Sequence, residues 1–253
     1  MARSKGRNRL RNIQITGWTA LSLLLTTLAM FAAWGASPHP TDRAVLMEVY
    51  QRADLQVTTT DDLLVLRPAT TSGPLTGDVL VFVPGARVDP HAYAGRFADF
   101  VAESGVTVAI PRPWLNLALL DPRELDEMVS LQTDERIVAV GGHSMGGVSA
   151  CQKAPDTPAT TLVLFAAYCA EGSTPEELSV LSVWGSNDRL IAEEDRQEGL
   201  SRLPSDAVSI TIEGATHALF GDYEPQAGDG NPEISAEDMT ALLTEALTEF
   251  LAN

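Results

Sequence analysis

The stretch that most restricts this chain is Ile137-Val138-Ala139-Val140 running into Gly141-Gly142-His143-Ser144-Met145-Gly146-Gly147. A short continuous apolar run predicts a strand buried on both faces, as in a mostly parallel sheet covered by helices. A serine with glycine two residues to either side belongs where such a strand reverses sharply into a helix. The turn holds the serine in a strained backbone conformation, and the glycines leave room for strand and helix to approach. It also aims the helix N-terminus, with its free amide donors and positive dipole end, at the space before the hydroxyl. Gly-rich turns of this kind also bind phosphate, so the reading requires partners elsewhere.

A serine hydroxyl is a poor nucleophile until a base takes its proton, and that base is in turn fixed by an acid. Four histidines are present. His39 lies in a Pro-flanked linker, His143 inside the turn, and His91 upstream of Ser144, where the chain order does not suit a base. His217, directly after the last predicted strand, is the remaining candidate. Asp188 follows Val183-Trp184-Gly185-Ser186-Asn187 at the end of the penultimate strand, on the edge from which the Ser144 and His217 loops emerge. Glu193, Glu194 and Asp195 are its rivals, but they read as the acidic first turn of a helix. Two donors are expected for an oxyanion: the Met145 amide and one from Pro84-Gly85-Ala86-Arg87, with Ala86 preferred and Arg87 the alternative.

Around this centre the chain alternates. Strands are predicted at 55–59, 63–66, 79–83, 106–110, 137–140, 162–165, 178–184 and 208–212. Helices are predicted at 92–103, from an Asp121 cap with Pro122 at the first helical position, and at 235–251, where Met239, Leu242, Leu243, Ala246, Leu247 and Phe250 share a face. The fold class expected is α/β, a three-layer arrangement with right-handed crossovers.

The 17 basic residues against 34 acidic ones leave no extended surface for nucleic acid. Five of the basic residues, Arg3 to Arg11, precede the first acid at Asp42, so the rest of the chain is strongly acidic. Residues 13–36 carry no charge and are long enough to span a bilayer. The expected organisation is a cytoplasmic basic tail at 1–12, a transmembrane signal anchor at 13–36, a linker at 37–53 and a catalytic domain at 54–253. Positive charge on the N-terminal side places that domain outside the cytoplasm. Cleavage after the small residues near Ala33-Trp34-Gly35 is the competing expectation. Cys151 and Cys169 fall on adjacent elements and either pair or remain buried thiols.

The Ser turn resembles the α/β-hydrolase superfamily. Three further stretches, Val83 to Tyr93, Trp114 to Pro122, and Gly214 to Tyr223 with Gln226 to Asp229, are similar to its small bacterial fold-5, or dienelactone-hydrolase-like, members. Dienelactone hydrolases proper have Cys where this chain has Ser144, and their substrate is not carried over. The resemblance implies a sheet of about eight strands and a triad of Ser144, Asp188 and His217. Only Ala170 to Glu177 are available where many relatives insert a lid. Trp114 to Leu120 and the acidic loop 222–238 are then the expected pocket walls, with Arg87, Trp114 and Leu117 as substrate-binding residues; Leu117 and Leu120 suit a core equally well. The function expected is hydrolysis of an ester-like bond in a small acyl substrate, without cofactor or metal. A thioesterase or peptidase with the same triad, and a non-catalytic membrane-tethered binding protein, are the alternatives.

Overall fold

The computed structural model describes residues 2–170 and 177–252, in two compact units divided after Ser37. The first unit is a helix, α1 (Ala2–Gly35). Its segment Gln14–Gly35 is long and apolar enough to cross a membrane, and its large apolar side chains, Trp18 and Phe31 among them, are exposed.

The second unit begins at Pro38, so most of the stretch expected as a linker folds with the domain. Asp42 caps α2 (Arg43–Gln51) by accepting from the Ala44 amide, and Val49 on that helix enters the core. Among the described residues, eight strands form one sheet: β1 (Leu55–Thr59), β2 (Leu63–Pro68), β3 (Asp78–Val83), β4 (Thr107–Pro111), β5 (Arg136–His143), β6 (Thr161–Phe165), β7 (Ser179–Gly185) and β8 (Val208–Ile212). Their order is β1-β2-β4-β3-β5-β6-β7-β8, antiparallel only at β1–β2 and β2–β4. All six residues of β3 are buried. Leu80 and Phe82 face one apolar layer with α3 (Ala94–Ser104) and α6 (Ala236–Leu251). Val79, Val81 and Val83 face the other, with α4 (Met145–Lys153). A strand's period of two, with both faces covered, is what a continuous apolar run requires.

The expected strands and the closing helix are present, with ends shifted by a few residues. Ser235 caps α6 in a reciprocal box with Asp238. Leu242, expected on its buried face, is exposed, and Thr244 is buried instead. The helix expected from Asp121 is absent: within 121–130 only residues 125–128 form a turn, and the rest is irregular. Asp121 does cap, accepting from the Arg123 amide at 3.1 Å, but it also accepts from the Trp114 amide at 2.9 Å. The Asp121 and Arg123 carbonyls, which a helix would offer to amides four residues on, accept instead from Lys153 on α4. An ammonium with three donors has taken the acceptors that helix propagation needs.

Cys151 on α4 and Cys169 after β6 are bridged, with Cα atoms 5.5 Å apart. That tie holds the helix leaving Ser144 to the neighbouring strand end.

Candidate active site

Ser144 connects β5 to α4 with φ 53° and ψ −126°, a conformation in which a non-glycine side chain is strained. The glycines around it are forced by space. A Cβ on Gly142 would lie 2.4 Å from the Gly146 carbonyl carbon, and one on Gly146 would lie 2.2 Å from the Val83 oxygen. The sharp reversal therefore presses the start of α4 onto the ends of β3 and β5. Met145 is the first residue of α4, so its amide has no acceptor within the helix.

The loop after β3 sits against this turn, and its amides are almost all committed. Gly85 donates to the Tyr93 hydroxyl at 2.9 Å, Arg87 to the Asn116 carbonyl at 2.7 Å, and Val88 to the Gly85 carbonyl at 3.1 Å. Among the described residues the Ala86 amide has no acceptor. The alternative donor, the Arg87 amide, is thus taken, and Arg87 itself has φ 56°. The bond to Asn116 brings the 114–117 segment against the same loop. There Trp114 is 55% exposed and Leu117 only 4%, while Leu120 is exposed.

Asp188 and His217 meet at this edge of the sheet. His217 Nδ1 lies 2.7 Å from Asp188 Oδ2, with both side chains buried. A carboxylate only accepts, so Nδ1 carries the proton and Nε2 is left as the ring's acceptor. The other oxygen of Asp188 accepts from the Leu190 and Ile191 amides at 2.8 and 3.2 Å, which fixes the carboxylate on its own loop. The His217 ring packs, tilted by 44°, with its centroid 4.5 Å from that of His143, the residue preceding Ser144. Among the described residues the Ser144 hydroxyl makes no hydrogen bond.

Two further groups hold the His217 loop, and the sequence reading missed both. Arg96 on α3 is buried in an ion pair with Asp222 at 2.7 Å and donates to the Leu219 and Gly221 carbonyls. Burial pushes the Asp222 carboxyl up and the Arg96 guanidinium down from their usual ranges, each opposed by the charge of the other. Asp229 lies in the acidic loop expected as a pocket wall. Its carboxylate accepts from the Ala218, Gly230, His217 and Arg189 amides, at 2.8, 2.8, 3.2 and 3.4 Å. It therefore ties the loop of Asp188 to that of His217. Its only sequence signal was its place in the Gln226 to Asp229 stretch. Among the described residues no group of three or more His, Cys, Asp or Glu could hold a metal ion. Residues 171–176 of the segment where a lid would be inserted lie outside the described residues.

A mostly parallel sheet with a strained serine turn on its C-terminal edge and a buried His–Asp pair beside it is the architecture of α/β hydrolases. The alpha/beta hydrolase family model matches residues 79–241. The chain belongs to the alpha/beta hydrolase family. Solved structures sharing the fold include a CIB-like hydrolase from Thermoplasma acidophilum, at 16% identity and a TM-score of 0.54, covering 77% of this chain and 98% of that one. A serine hydrolase without lid from Xanthomonas campestris is 14% identical, with a TM-score of 0.52 and 78% and 95% covered. The esterase domain of a Rhodothermus marinus protein is 11% identical, with a TM-score of 0.53 and 78% and 98% covered. No curated protein matches the chain.

Proposed function

We propose that this chain is a serine hydrolase that cleaves an ester-like bond of a small acyl substrate through an acyl-enzyme on Ser144. The observation that carries the reading is the buried Asp188–His217 pair, oriented with its proton toward the acid, beside a serine held at positive φ. In this reading His217 Nε2 takes the Ser144 proton as the hydroxyl attacks the acyl carbon, and Asp188 stabilises the imidazolium that forms. The Ala86 and Met145 amides receive the charge on the carbonyl oxygen. His217 then returns the proton to the leaving group, and a water repeats the sequence to free the acid. The hydrogen bond from Ser144 to His217 forms as substrate enters, since such bonds are often long in resting enzymes. Arg87, Trp114 and Leu117 border the acyl group.

A small substrate is favoured because only residues 166–178 lie between β6 and β7, too few for a lid of several helices. The testing experiment is hydrolysis of p-nitrophenyl esters from acetate to palmitate, alongside thioester and peptide substrates. Turnover of short esters that disappears in Ser144→Ala supports the reading; turnover surviving that substitution defeats it. Faster thioester or peptide cleavage selects the alternative acyl chemistry.

The helix Gln14–Gly35, preceded by five positive charges, further supports a signal anchor with the domain outside the cytoplasm. Mass spectrometry of the mature chain distinguishes the two forms: an intact N-terminus supports the anchor, and a chain starting near Ala36 establishes cleavage.

A further inference from the structure

Tyr93 and His143 are both fully buried, and neither is used by the mechanism above. Polar groups are costly to bury unless they are paired; the Tyr93 hydroxyl and His143 Nδ1 pair with each other, while His143 Nε2 is buried with no hydrogen-bond partner among the described residues. Tyr93 closes the short 3-10 turn Pro90–Tyr93, capped by Asp89, and its ring packs on Phe82 of β3 at 5.3 Å. Its hydroxyl lies 2.9 Å from the Gly85 amide and 3.0 Å from His143 Nδ1. A backbone amide only donates, so the hydroxyl accepts from Gly85 and keeps its single proton, which it donates to His143 Nδ1 in the His143 tautomer protonated at Nε2.

We propose that Tyr93 and His143 are positioning residues for the oxyanion loop: the relay from Gly85 N–H through the Tyr93 hydroxyl to His143 Nδ1 locks that loop onto the nucleophile turn and leaves the Ala86 amide free for the oxyanion. The proposal rests on the hydrolase reading. Its geometry pins the loop on both sides of Ala86, by Tyr93 at Gly85 and by the Asn116 carbonyl at Arg87. There is no slack at the first pin, since a Cβ on Gly85 would sit 2.9 Å from His143 Nδ1 and 3.3 Å from the Tyr93 hydroxyl. The relay also requires a neutral His143. Burial, then the neighbouring charge of His217, holds its imidazole well below the ordinary value, and burial keeps the Tyr93 phenol protonated. A neutral ring 4.5 Å from His217 adds no repulsion to the imidazolium formed there.

The test compares Tyr93→Phe, His143→Phe and His143→Asn in the full chain, with kcat expressed per active site titrated by a fluorophosphonate. Tyr93→Phe orphans the Gly85 amide and is expected to lower kcat on the order of tenfold to a hundredfold, since losing a donor outright costs 10²–10³. KM stays within about threefold, because ground-state binding does not use the oxyanion. Affinity for a trifluoromethyl ketone, whose adduct with Ser144 carries an oxyanion, falls by the same factor as kcat. His143→Phe matches Tyr93→Phe, the double variant is no worse than either, and His143→Asn, whose amide oxygen replaces Nδ1 as acceptor, restores most of kcat. A purely structural role would lower the titratable fraction and leave kcat per site unchanged, and that result overturns the proposal. So does a change confined to KM, or equal losses in His143→Asn and His143→Phe, the pair that decides the matter should Tyr93→Phe not fold. Wild type that neither labels nor turns over refutes the hydrolase reading itself; active wild type with unaffected variants refutes only the relay.

Discussion

Gly146→Ala tests how tightly the nucleophile turn is coupled to the oxyanion loop. The added methyl carbon would lie 2.2 Å from the Val83 carbonyl oxygen and 2.3 Å from that of Pro84. Ordinary contact begins at 3.4 Å, so the two carbonyls must retreat by about 1.2 Å. Val83 has little freedom to do so, being buried and paired with Gly142 in the sheet. Pro84 leads directly into Gly85 and Ala86, so the displacement passes to the loop that carries the proposed donor. A misplacement of about 1 Å in such a site costs about a hundredfold in rate. Gly146→Ala is therefore expected to lose about 10²-fold in kcat per active site, with KM little changed and about 1–3 kcal/mol of stability lost to overpacking. Purified variant and wild type are compared by active-site titration, steady-state ester hydrolysis and urea denaturation. A kcat per site within about twofold of wild type would show that the loop does not depend on this contact, contrary to the account.

Asp188→Asn keeps the shape of the acid but no longer fixes the His217 proton on Nδ1; kcat is expected to fall on the order of 10⁴-fold with KM preserved, measured by stopped-time ester assays. Removing the Cys151–Cys169 bridge as Cys151→Ser/Cys169→Ser releases a short loop, and urea denaturation is expected to show a loss of about 3 kcal/mol. Asp89 gives a pH prediction. Burial pushes its carboxyl up, but bonds from the His91 side chain and amide, with the Arg112 charge, outweigh that and hold it at about 2 against the ordinary 3.8. A carboxyl lowered in the fold stabilises it fully above the unfolded value, and the contribution disappears as pH falls from 3.8 toward 2. The wild-type advantage over Asp89→Asn, followed by denaturation across that window, should shrink as the acid is added.

Much of this arrangement was legible because it is written in local patterns. The apolar run at 137–140 defines a doubly covered strand, the glycines around Ser144 record a close approach of backbones, and Asp188 and His217 each follow a recognisable strand. The parts that escaped reading depend on contacts between distant residues. Asp121 carries a sound helix-start signal, yet Lys153, some thirty positions on, takes the carbonyls such a helix needs. Asp229 looks like any acid in an acidic loop until four amides from three segments converge on it. His143 is legible only as a residue of the turn, and the structure gives it a partner in Tyr93, fifty positions upstream. Leu242 shows the opposite failure: it fits the helical period, but the stripe that α6 buries runs through Met239, Leu243 and Leu247.

The most direct test of the account is to map a fluorophosphonate adduct on the folded protein by peptide mass spectrometry. The account predicts a single adduct on Ser144, absent from Ser144→Ala and formed far more slowly in His217→Ala. No adduct on folded wild type, or one carried by another residue, would contradict it.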